Sequence, residues 1–547
     1  MSILNKNWQL LNDSDKDLFT KILHNRGLDS EQEINEFLEP EKYVKFHDPM
    51  LFDDMEKAVG RIKKAIKDKE RIIVFGDYDV DGISGTTILV KALEKLGANV
   101  SYRLPHRRDD GYGLKEKFIE EFVELGVSLV ITTDCGISCV KEVALANKNK
   151  IDIIITDHHA VPKKLPKAFA IIHPEVSGYP FKELTGAGVA LKLAQALHGR
   201  DLEEFVDLAA MGTVADIGIL VGENRLIVKK GLDQLAKTAS KGLRLLKEIA
   251  GISNEKINTR TIGYQIGPRI NAAGRIDNPY FALQLLLSED EVRGRKLANK
   301  LEDLNKERQF MLQEALEEAE ARFAGTNDKF ILIKESKDWH VGILGLVAGR
   351  LAEKYQLPVI ILQDFGDVLT ASARSPEHFN IIEALTAHSK HLNYFGGHAC
   401  AAGFDIDKKN FKKFREAMEK YAEEKLKEKD LRSILKIDCE IKGKEINKET
   451  LAFIEKLHPF GTGNQSPNFL IKNIKPLKMK EVGKDKSHLK ILAEQGQKKL
   501  DIIAFKFAEH LNTLREHDSF DLVCNIERNP KNRYNEIQIK AVDFKKL

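Results

Sequence analysis

The strongest constraint on the fold is the alternation of apolar strands with amphipathic helices between about residues 55 and 220. The strands are continuous Val, Ile and Leu runs such as "RIIVFG", "SLVITTD" and "IDIIITD", and helical segments such as "GTTILVKALEKLG" separate them. Strands that are apolar on both sides are typical of a parallel sheet covered by helices on both faces. The sequence therefore predicts a doubly wound parallel α/β domain.

The rest of the chain changes character in ways that predict further domains, as a length of 547 residues requires. The segment "EDEVRGRKLANKLEDLNKERQFMLQEALEEAEARF" has a helical period and no Pro, which predicts one long helix. A second α/β region follows, and short alternating strands near the end predict an OB-like all-β barrel. We expect an N-terminal helical segment (1–50), a catalytic α/β domain (51–285), the connecting helix (286–325), a second α/β domain (326–432) and the barrel (433–547).

Composition excludes several classes of protein. No run approaches the roughly 20 apolar residues of a membrane helix, and we expect neither a membrane anchor nor a secretory signal. The five cysteines are scattered, which argues against a disulfide framework and predicts a reducing, cytoplasmic location. Because the formal net charge is only +3, any affinity for nucleic acid must come from local patches.

Carboxylates follow the predicted strands at the carboxyl edge of the sheet. The stretch "VFGDYDVDGISG" places Asp77, Asp79 and Asp81 at every second position, directly after a buried strand. Three carboxylates this close repel one another, and without a cation at least one pKa must rise. A solvated acidic turn is the alternative interpretation, but open α/β sheets form their binding sites at this edge.

Later strand ends and an apolar segment carry the same chemistry, in Asp134, Asp157, His158, His159 and Asp216. Carboxylates and imidazoles without thiolates favour Mn²⁺ or Mg²⁺ over a structural zinc ion. Five or six ligands are too many for one ion that keeps a water, so the set predicts two ions about 3.5–4 Å apart, as in two-metal phosphoryl transfer. An activated water, rather than a protein nucleophile, would then attack phosphorus.

Candidate anion-binding residues lie mainly in the second α/β region and in loops. The glycine pair in "FGGHACAAG" would let backbone N–H groups approach a phosphate at Gly397, beside His398. Arg269 and Arg350 could equally be structural ion-pair partners. Residues 472–499 contain nine Lys against three acidic residues, which would suit a nucleic-acid backbone, although charged strands are often only solvated. The other candidates are Arg107, Arg275, Ser372 and Arg374.

The motifs "DYDVDG", "TTDCG", "TDHH" and "GTVAD", followed by "GGHACAAG", resemble in content and order those of the DHH phosphoesterase superfamily. Further stretches, "RINAAGRID", "DWHVGILGLVAGR", "SARS" and "HPFGTGNQSPNF", are similar to the RecJ family of exonucleases within it. The resemblance covers residues 50–547 and implies a DHH domain, a DHHA1 domain and an OB fold that helps to bind single-stranded DNA. It implies Mn²⁺- or Mg²⁺-dependent hydrolysis of single-stranded DNA from the 5′ end, in DNA repair and recombination.

The resemblance also implies a role for each motif residue. The metal ligands would be Asp77, Asp79, Asp81, Asp134, His158 and Asp216, with Asp134 as the bridge between two ions. The catalytic residues would be Asp79, Asp134, His158 and His159. Of these, His159 would face the scissile phosphate, and Asp157 would orient His158. Substrate phosphates, including that of the 5′ end, would be bound by Arg107, Arg275, Ser372, Arg374, Gly397 and His398.

Two alternatives stay open from the sequence. A DHH-type hydrolase of short oligonucleotides or cyclic dinucleotides would share the catalytic residues but would not need the barrel. A non-catalytic DNA-binding scaffold would be expected to have lost acids of the set, which is complete here. We expect a monomer that acts on single-stranded DNA without membrane association, with a helicase and a single-strand-binding protein as candidate partners.

Overall fold

The computed structural model describes residues 2–11, 16–253, 257–324, 329–529 and 536–546. The chain forms two compact units, each built from separate stretches of sequence. The first unit contains Met1–Lys45, Ile219–Leu226 and Arg432–Leu547, and the second contains Phe46–Gly218 and Ile227–Leu431. Within the described ranges, no helix has the length and apolar character needed to cross a membrane.

The N-terminal segment is helical, as predicted, and also contains a strand. Its elements are β1 (Asn7–Leu10), α1 (Leu18–His24), α2 (Glu31–Leu38), α3 (Pro40–Tyr43) and a 3₁₀ turn (Pro49–Leu51). Helix α2 begins with a capping box, because the Ser30 side chain accepts from the Glu33 N–H and the Glu33 side chain accepts from the Ser30 N–H.

The predicted doubly wound sheet is confirmed. Its strands are all parallel, in the order β3-β2-β4-β5-β6, and β4 is buried along its whole length. The elements are α4 (Met55–Lys67), β2 (Arg71–Gly76), α5 (Val80–Lys95), β3 (Asn99–Arg103), α6 (Glu116–Glu124), β4 (Leu129–Thr133), α7 (Val140–Lys148), β5 (Asp152–Thr156) and β6 (Ala170–Ile172).

A run of helices follows the sheet and leads into the predicted long helix. They are α8 (Gly186–His198), α9 (Val206–Ala215), α10 (Gly222–Ala236), α11 (Lys241–Ile249), α12 (Thr259–Thr261), α13 (Gly267–Ile276), α14 (Tyr280–Leu287) and α15 (Glu291–Ala324), with a 3₁₀ turn at Glu203–Phe205 and a π-helical turn at Ile262–Ile266. The single long helix is confirmed by α15, although its predicted last residue, 325, lies outside the described residues.

The second α/β region forms a mixed sheet in the order β10-β11-β9-β8-β7, in which only β7 and β8 are parallel. Helix α16 packs on one face of this sheet and, with α15, encloses an apolar core. The elements are β7 (Leu332–Ser336), α16 (Val341–Tyr355), β8 (Val359–Asp364), β9 (Val368–Arg374), α17 (Ile381–Ala387), a 3₁₀ turn (Ser389–His391), β10 (Tyr394–His398), β11 (Ala401–Asp407) and α18 (Lys408–Leu426).

The predicted OB-like barrel is confirmed as five strands in the order β14-β15-β16-β18-β17, closed by pairing of β17 with β14. The elements of this region are β12 (Ile434–Ile437), β13 (Cys439–Glu440), α19 (Lys448–Lys456), β14 (Phe469–Val482), β15 (His488–Gln495), β16 (Lys498–Ala504), α20 (Leu511–Arg515), β17 (Phe520–Arg528) and β18 (Ile537–Lys546), with 3₁₀ turns at Gly443–Glu445 and Ala508–His510.

The first unit is held together by contacts between stretches that are far apart in the sequence. Strand β1 pairs in parallel with β12. The buried guanidinium of Arg225 donates hydrogen bonds to the carbonyls of Phe37, Leu457, His458 and Pro459. One arginine in the short middle stretch thus joins the N-terminal helices to the barrel region. Nothing in the sequence indicated this grouping.

Candidate metal centre

The first three carboxylates lie in the turn between β2 and α5. Asp77 follows the strand, and Asp79 caps the helix because its Oδ1 accepts from the N–H groups of Asp81 (3.0 Å) and Gly82 (3.1 Å). A side chain at position 82 would place a Cβ 2.7 Å from the Asp77 nitrogen, so the turn requires glycine there. The tight turn brings the three acids together at the carboxyl edge of the sheet.

The Asp81 carboxylate is buried and fixed by the start of α8. It accepts hydrogen bonds from Thr185 Oγ1 (3.1 Å) and from the N–H groups of Gly186 (2.6 Å) and Ala187 (3.0 Å). Helix α9 approaches closely, because a Cβ at Gly212 would lie 2.1 Å from Asp81 Oδ1. The carboxylate therefore has one orientation, with lone pairs of Oδ2 left for another partner.

The ring of His158 is the meeting point of three acids. Its Nε2 lies 3.1 Å from Asp134 Oδ1, 3.6 Å from Asp216 Oδ2 and 3.8 Å from Asp81 Oδ2. Asp134 follows β4 with φ of +61° and donates its N–H to the carbonyl of Thr156 at the end of β5. Asp216 ends α9. Four separate segments thus bring carboxylates and an imidazole to one edge of the sheet.

The ligand atoms of these residues form three overlapping groups, in each of which the atoms lie within 4.8 Å of one another. Their donors are carboxylates and imidazoles, which suit Mn²⁺ or Mg²⁺. Asp77 Oδ1 is buried and has no hydrogen-bond partner in the described structure, as expected for a side chain that lacks a ligand. The residues present therefore fit a divalent metal site. The groups are Asp77, Asp79 and Asp134; Asp81, His158 and Asp216; and Asp134, His158 and His159.

The electrostatics of the acids also favour a cation. Burial, reinforced by the negative charge of neighbouring aspartates, raises the pKa of Asp81 to about 7 and that of Asp216 to about 8. The same causes raise the pKa values of Asp77 and Asp134 well above the usual range. Burial lowers the pKa of His158 to about 4, so the imidazole is neutral at pH 7 and competent to bind a metal.

Asp157 differs from the sequence-based expectation. Its Oδ1 lies 2.8 Å from Nδ1 of His159 and accepts from the backbone N–H of His158 (2.8 Å), so its side chain orients the His159 ring rather than that of His158. The reason is local geometry: as the first residue after β5, Asp157 turns its carboxylate towards the following backbone and also accepts the N–H of Ile137 (2.9 Å). His158 is oriented instead by Asp134.

His159, which is partly exposed, forms an ion pair with the buried Asp157. Burial alone would lower the pKa of His159, but the hydrogen bond to Asp157 and its charge outweigh burial and raise that pKa to about 9. Tyr112, which sequence reasoning missed, donates to the carbonyl of Asp134 (3.1 Å), and its hydroxyl lies 3.1 Å from His159 Nδ1. The available sequence signal was "DGYG", in which two glycines flank one aromatic residue. In the structure both glycines have positive φ.

Three of the predicted phosphate-binding residues form an arginine cluster (Arg107, Arg275 and Arg374). Arg107 lies 4.5 Å from the centre of the Tyr78 ring, and Arg275 Nη1 donates to the carbonyl of Gly342 (3.2 Å). Among the residues that the structure describes, none of the three forms an ion pair. Burial, together with the positive charge of Arg107, lowers the pKa of Arg275 to about 9. Binding of an anion at the cluster would therefore be favourable, because its positive charges are not balanced by acidic side chains.

Glycines of α16 allow the cluster to form. A Cβ at Gly342 would lie 1.9 Å from the carbonyl oxygen of Arg275, and one at Gly345 would lie 3.0 Å from Arg374 Nη2. Arg269, by contrast, forms an ion pair with Glu302 (2.6 Å), which supports the structural interpretation for that residue.

Ser372 and His398 lie on the same sheet face as Arg374, but Ser372 is close to the Arg374 side chain whereas His398 is farther away and exposed. Ser372 Oγ is 3.4 Å from Arg374 Nη1. Arg374, Ala401 and His398 are in register across β9, β11 and β10, so the His398 backbone lies about 10 Å from that of Arg374. His398 is exposed. Gly397 has φ of +147°, and a Cβ there would lie 2.3 Å from the Ala401 carbonyl oxygen.

In the barrel, the lysine-rich stretch 472–499 is partly neutralised by ion pairs. Lys472 pairs with Glu440 (2.6 Å) and Lys490 with Asp501 (2.5 Å). Next to it, the half-exposed ring of Phe505 packs against His488 (5.1 Å between ring centres), with Lys540 5.6 Å from its centre. An aromatic side chain among cations is typical of a surface that binds single-stranded nucleic acid.

Three family models match the chain. They are the DHH family N-terminal domain over residues 71–213, the DHHA1 domain over residues 327–424 and the RecJ OB domain over residues 437–543. Two curated relatives are single-stranded-DNA-specific exonucleases named RecJ. That of Bacillus subtilis (strain 168) is 35% identical over 531 residues, which is 96% of this chain and 67% of that protein. That of Haemophilus influenzae is 35% identical over 486 residues, 84% of both chains.

Solved structures give the same likeness. The crystal structure of RecJ from Thermus thermophilus in complex with Mn²⁺ matches with a TM-score of 0.85 and 28% identity, over 99% of this chain and 80% of that one. The complex of the Thermus thermophilus RecJ with Mg²⁺ matches with a TM-score of 0.79 and 27% identity, over 99% of this chain and 78% of that one. The curated relatives are thus named as single-stranded-DNA-specific exonucleases, and the solved RecJ structures hold the two metals that the donor set here suits.

Proposed function

The chain belongs to the RecJ family of single-stranded-DNA-specific exonucleases, and from this premise we propose that it removes nucleotides stepwise from the 5′ end of single-stranded DNA. One observation carries the proposal: among the described residues of the second unit, carboxylates without a Lys or Arg ion-pair partner occur together with arginines without an acidic one. A phosphodiester and divalent cations supply the missing charges.

The metal ligands in this proposal are Asp77, Asp79, Asp81, Asp134, His158 and Asp216. When bound, two ions of Mn²⁺ or Mg²⁺ lower the pKa of a water and neutralise charge on the phosphoryl group. Asp134 and His158 each belong to two of the three ligand groups, and of the two only the carboxylate has two oxygens, so Asp134 would be the residue shared between the ions. His158 is held in its metal-binding neutral form by burial, and Asp81 is held in place by the start of α8.

His159 acts on the substrate rather than as a primary metal ligand in our proposal. Because Asp157 occupies its Nδ1 and keeps the ring protonated, its Nε2–H can donate to a non-bridging oxygen of the scissile phosphate. Tyr112 limits the freedom of the ring through its hydroxyl. The charged hydrogen bond strengthens as negative charge develops on the phosphoryl oxygens.

The substrate-binding residues in the proposal are Arg107, Arg275, Ser372, Arg374, Gly397 and His398. The arginine cluster supplies planar guanidinium groups that suit phosphate oxygens, including those of a 5′-terminal phosphate. We propose that the predicted domain 51–285 carries out catalysis, that 326–432 binds phosphate and that 433–547 binds the DNA strand. We further propose that the protein is a cytoplasmic monomer that acts in DNA repair and recombination. Its proposed partners are a helicase and a single-strand-binding protein.

A digestion assay tests the direction and the metal requirement together. The substrates are a 5′-phosphorylated single strand labelled at its 3′ end, the same strand labelled at its 5′ end, a blunt duplex and a dinucleotide. Each is incubated with Mn²⁺, Mg²⁺ or EDTA. We expect a ladder of shortened 3′-labelled products from the single strand, and none with EDTA. Early loss of the 3′ label as a mononucleotide would reverse the polarity, and activity confined to the dinucleotide would favour the short-oligonucleotide hydrolase.

A further inference from the structure

Two polar residues of α15, Asn305 and Arg308, interrupt a buried face that is otherwise apolar. Leu301, Leu304, Leu312 and Ala315 lie on this face at helical spacing and are almost fully buried. Arg308 occupies the same face with only 8% of its surface exposed. A leucine there would continue the apolar stripe, so the charge needs its own explanation.

The protein itself does not satisfy the Arg308 guanidinium. Nη2 donates to Asn305 Oδ1 (2.9 Å), one turn earlier on α15, and Nε is buried without a partner in the described structure. Across those same residues it forms no ion pair. Burial lowers its pKa, and the positive charges of Arg350 and Arg269 lower it further. Arg269 is itself paired with Glu302, whereas Arg308 has no such acid among the described residues.

The helix of Arg308, α15, packs against α13, which carries Arg275 of the arginine cluster. The charge of Arg308 is among the causes that lower the pKa of Arg275, together with those of Arg107 and Arg374, whereas the charge of Asp79 opposes them. Arg275 is thus electrostatically linked to the metal centre through Asp79 and to α15 through Arg308.

A buried charge without a counter-ion is costly, and an apolar residue of similar volume would be more stable there. The hydrogen bond to Asn305 does not require a charge, because a neutral amide could make it. A ligand that arrives with negative charge accounts for the arrangement. In a protein that acts on DNA, the anion available at a fixed distance from the scissile phosphate is the next phosphate of the same strand.

We propose that Arg308 binds a backbone phosphate of the substrate strand other than the one that is hydrolysed, so that α15 forms a second phosphate subsite. The proposal rests on the proposed function and extends it to a residue that sequence reasoning did not find. Under this proposal the affinity for the strand depends on two successive phosphates, which mononucleotides lack.

The experiment combines protein variants with neutralised phosphates. Oligothymidylates carrying a single methylphosphonate at the first, second or third internal linkage are compared with the unmodified strand. Binding is measured by fluorescence anisotropy in EDTA, and digestion is measured separately in Mn²⁺. The variants are Arg308→Gln and Arg308→Lys. Arg295→Gln is the matched control, because Arg295 lies on the same helix but is exposed and paired with Glu248.

We expect Arg308→Gln to weaken binding of the unmodified strand by about tenfold. One methylphosphonate position should weaken binding to the wild-type protein by a similar factor and have little effect on Arg308→Gln. Arg308→Lys should recover part of the affinity, and Arg295→Gln should behave as the wild type. The melting temperature of Arg308→Gln should be equal to or above that of the wild type, because an uncompensated charge has been removed.

The proposal is overturned if the variant and the methylphosphonates weaken binding additively at every position, or if no position matters to the wild type. It is also overturned if Arg308→Gln melts at a lower temperature and keeps full sensitivity to the methylphosphonates, which would make Arg308 structural. Failure of the wild type to digest the unmodified strand would instead overturn the proposed function.

Discussion

Two regions of the second unit carry opposite and equally unbalanced charge. The acidic edge (Asp77, Asp79, Asp81, Asp134 and Asp216) gathers carboxylates that form no ion pair with Lys or Arg among the described residues. The guanidinium groups of the arginine cluster form no ion pair with an acid there. The acidic edge is rigid, since hydrogen bonds from the start of α8 fix Asp81. The arginine cluster depends on helix glycines that leave room for long side chains. In the proposed function, divalent cations would balance the acidic edge and a phosphodiester bound to them would balance the arginine cluster.

The largest effect should come from removing the residue shared between ligand groups of the acidic edge. We expect Asp134→Ala to lower kcat on single-stranded DNA on the order of 1000-fold, because charge stabilisation at the reacting phosphate is lost. Binding of the strand in EDTA should change less than threefold or so, because the arginines are intact. Near-normal turnover would remove the bridging role. Asp68→Ala, an exposed acid paired with Lys64, is the matched control for both measurements.

The fixed geometry of the acidic edge can be tested without removing a charge. A Cβ at Gly212 would lie 2.1 Å from Asp81 Oδ1 and 2.6 Å from the Ala187 Cβ, so Gly212→Ala must displace the carboxylate. We expect Mn²⁺ affinity, measured by calorimetry, to fall about 10–100-fold. Gly60→Ala is the control, because position 60 lies in α4 with open space around it. Unchanged affinity in Gly212→Ala would show that Asp81 is not a ligand.

The pH dependence separates the acidic edge from the cluster. In the metal-free protein Asp81 and Asp216 have pKa values of about 7 and 8, above the value of about 3.9 for an unfolded chain. Their stabilising contribution is present below about pH 4 and is lost as the pH rises through 7 to 8. The free energy of unfolding in EDTA, from urea titrations, should therefore fall between pH 5 and 8.

Mn²⁺ should remove this trend, because the metal binds the deprotonated carboxylates. Its apparent affinity should rise by up to about tenfold per pH unit below pH 7 for each proton released. The same downward trend with and without Mn²⁺ would contradict the assignment of these acids as ligands.

The smallest effect should come from a single arginine of the cluster. We expect Arg374→Gln to weaken binding of single-stranded DNA about fivefold to tenfold and to reduce the slope of log K against log salt by about 0.7, since one phosphate contact is lost. Mn²⁺ affinity should not change. An unchanged salt slope would mean that Arg374 contacts no phosphate, and altered Mn²⁺ affinity would mean that the two regions are coupled.

The two regions also differ in how far they could be predicted from the sequence. The acids follow strands, and strand ends of a parallel sheet meet at one edge, so the motifs predicted their proximity. The parallel sheet, the long helix and the barrel were predictable for similar reasons of periodicity. The partner of Asp157 could not be predicted. Whether its carboxylate contacts the ring of His158 or that of His159 depends on the local backbone geometry.

Arg308 was beyond the reach of sequence reasoning for a different reason. A charged residue in a Glu-, Lys- and Arg-rich helix is expected at the surface, and only the three-dimensional packing reveals that position 308 is buried. The contacts of the N-terminal segment could not be predicted from the sequence either. Nothing in its composition indicates that β1 pairs with β12 or that Arg225 joins it to the barrel region.

The discontinuous make-up of the first unit has a consequence for synthesis. Trp8 Nε1 donates to Asp543 Oδ2 (2.8 Å), a residue 535 positions later. At a translation rate of roughly 5–20 residues per second, the N-terminal strand emerges from the ribosome on the order of 30 to 100 s before this partner exists. The second unit can begin to fold during that interval, whereas the barrel unit can be completed only when translation has reached its last strand.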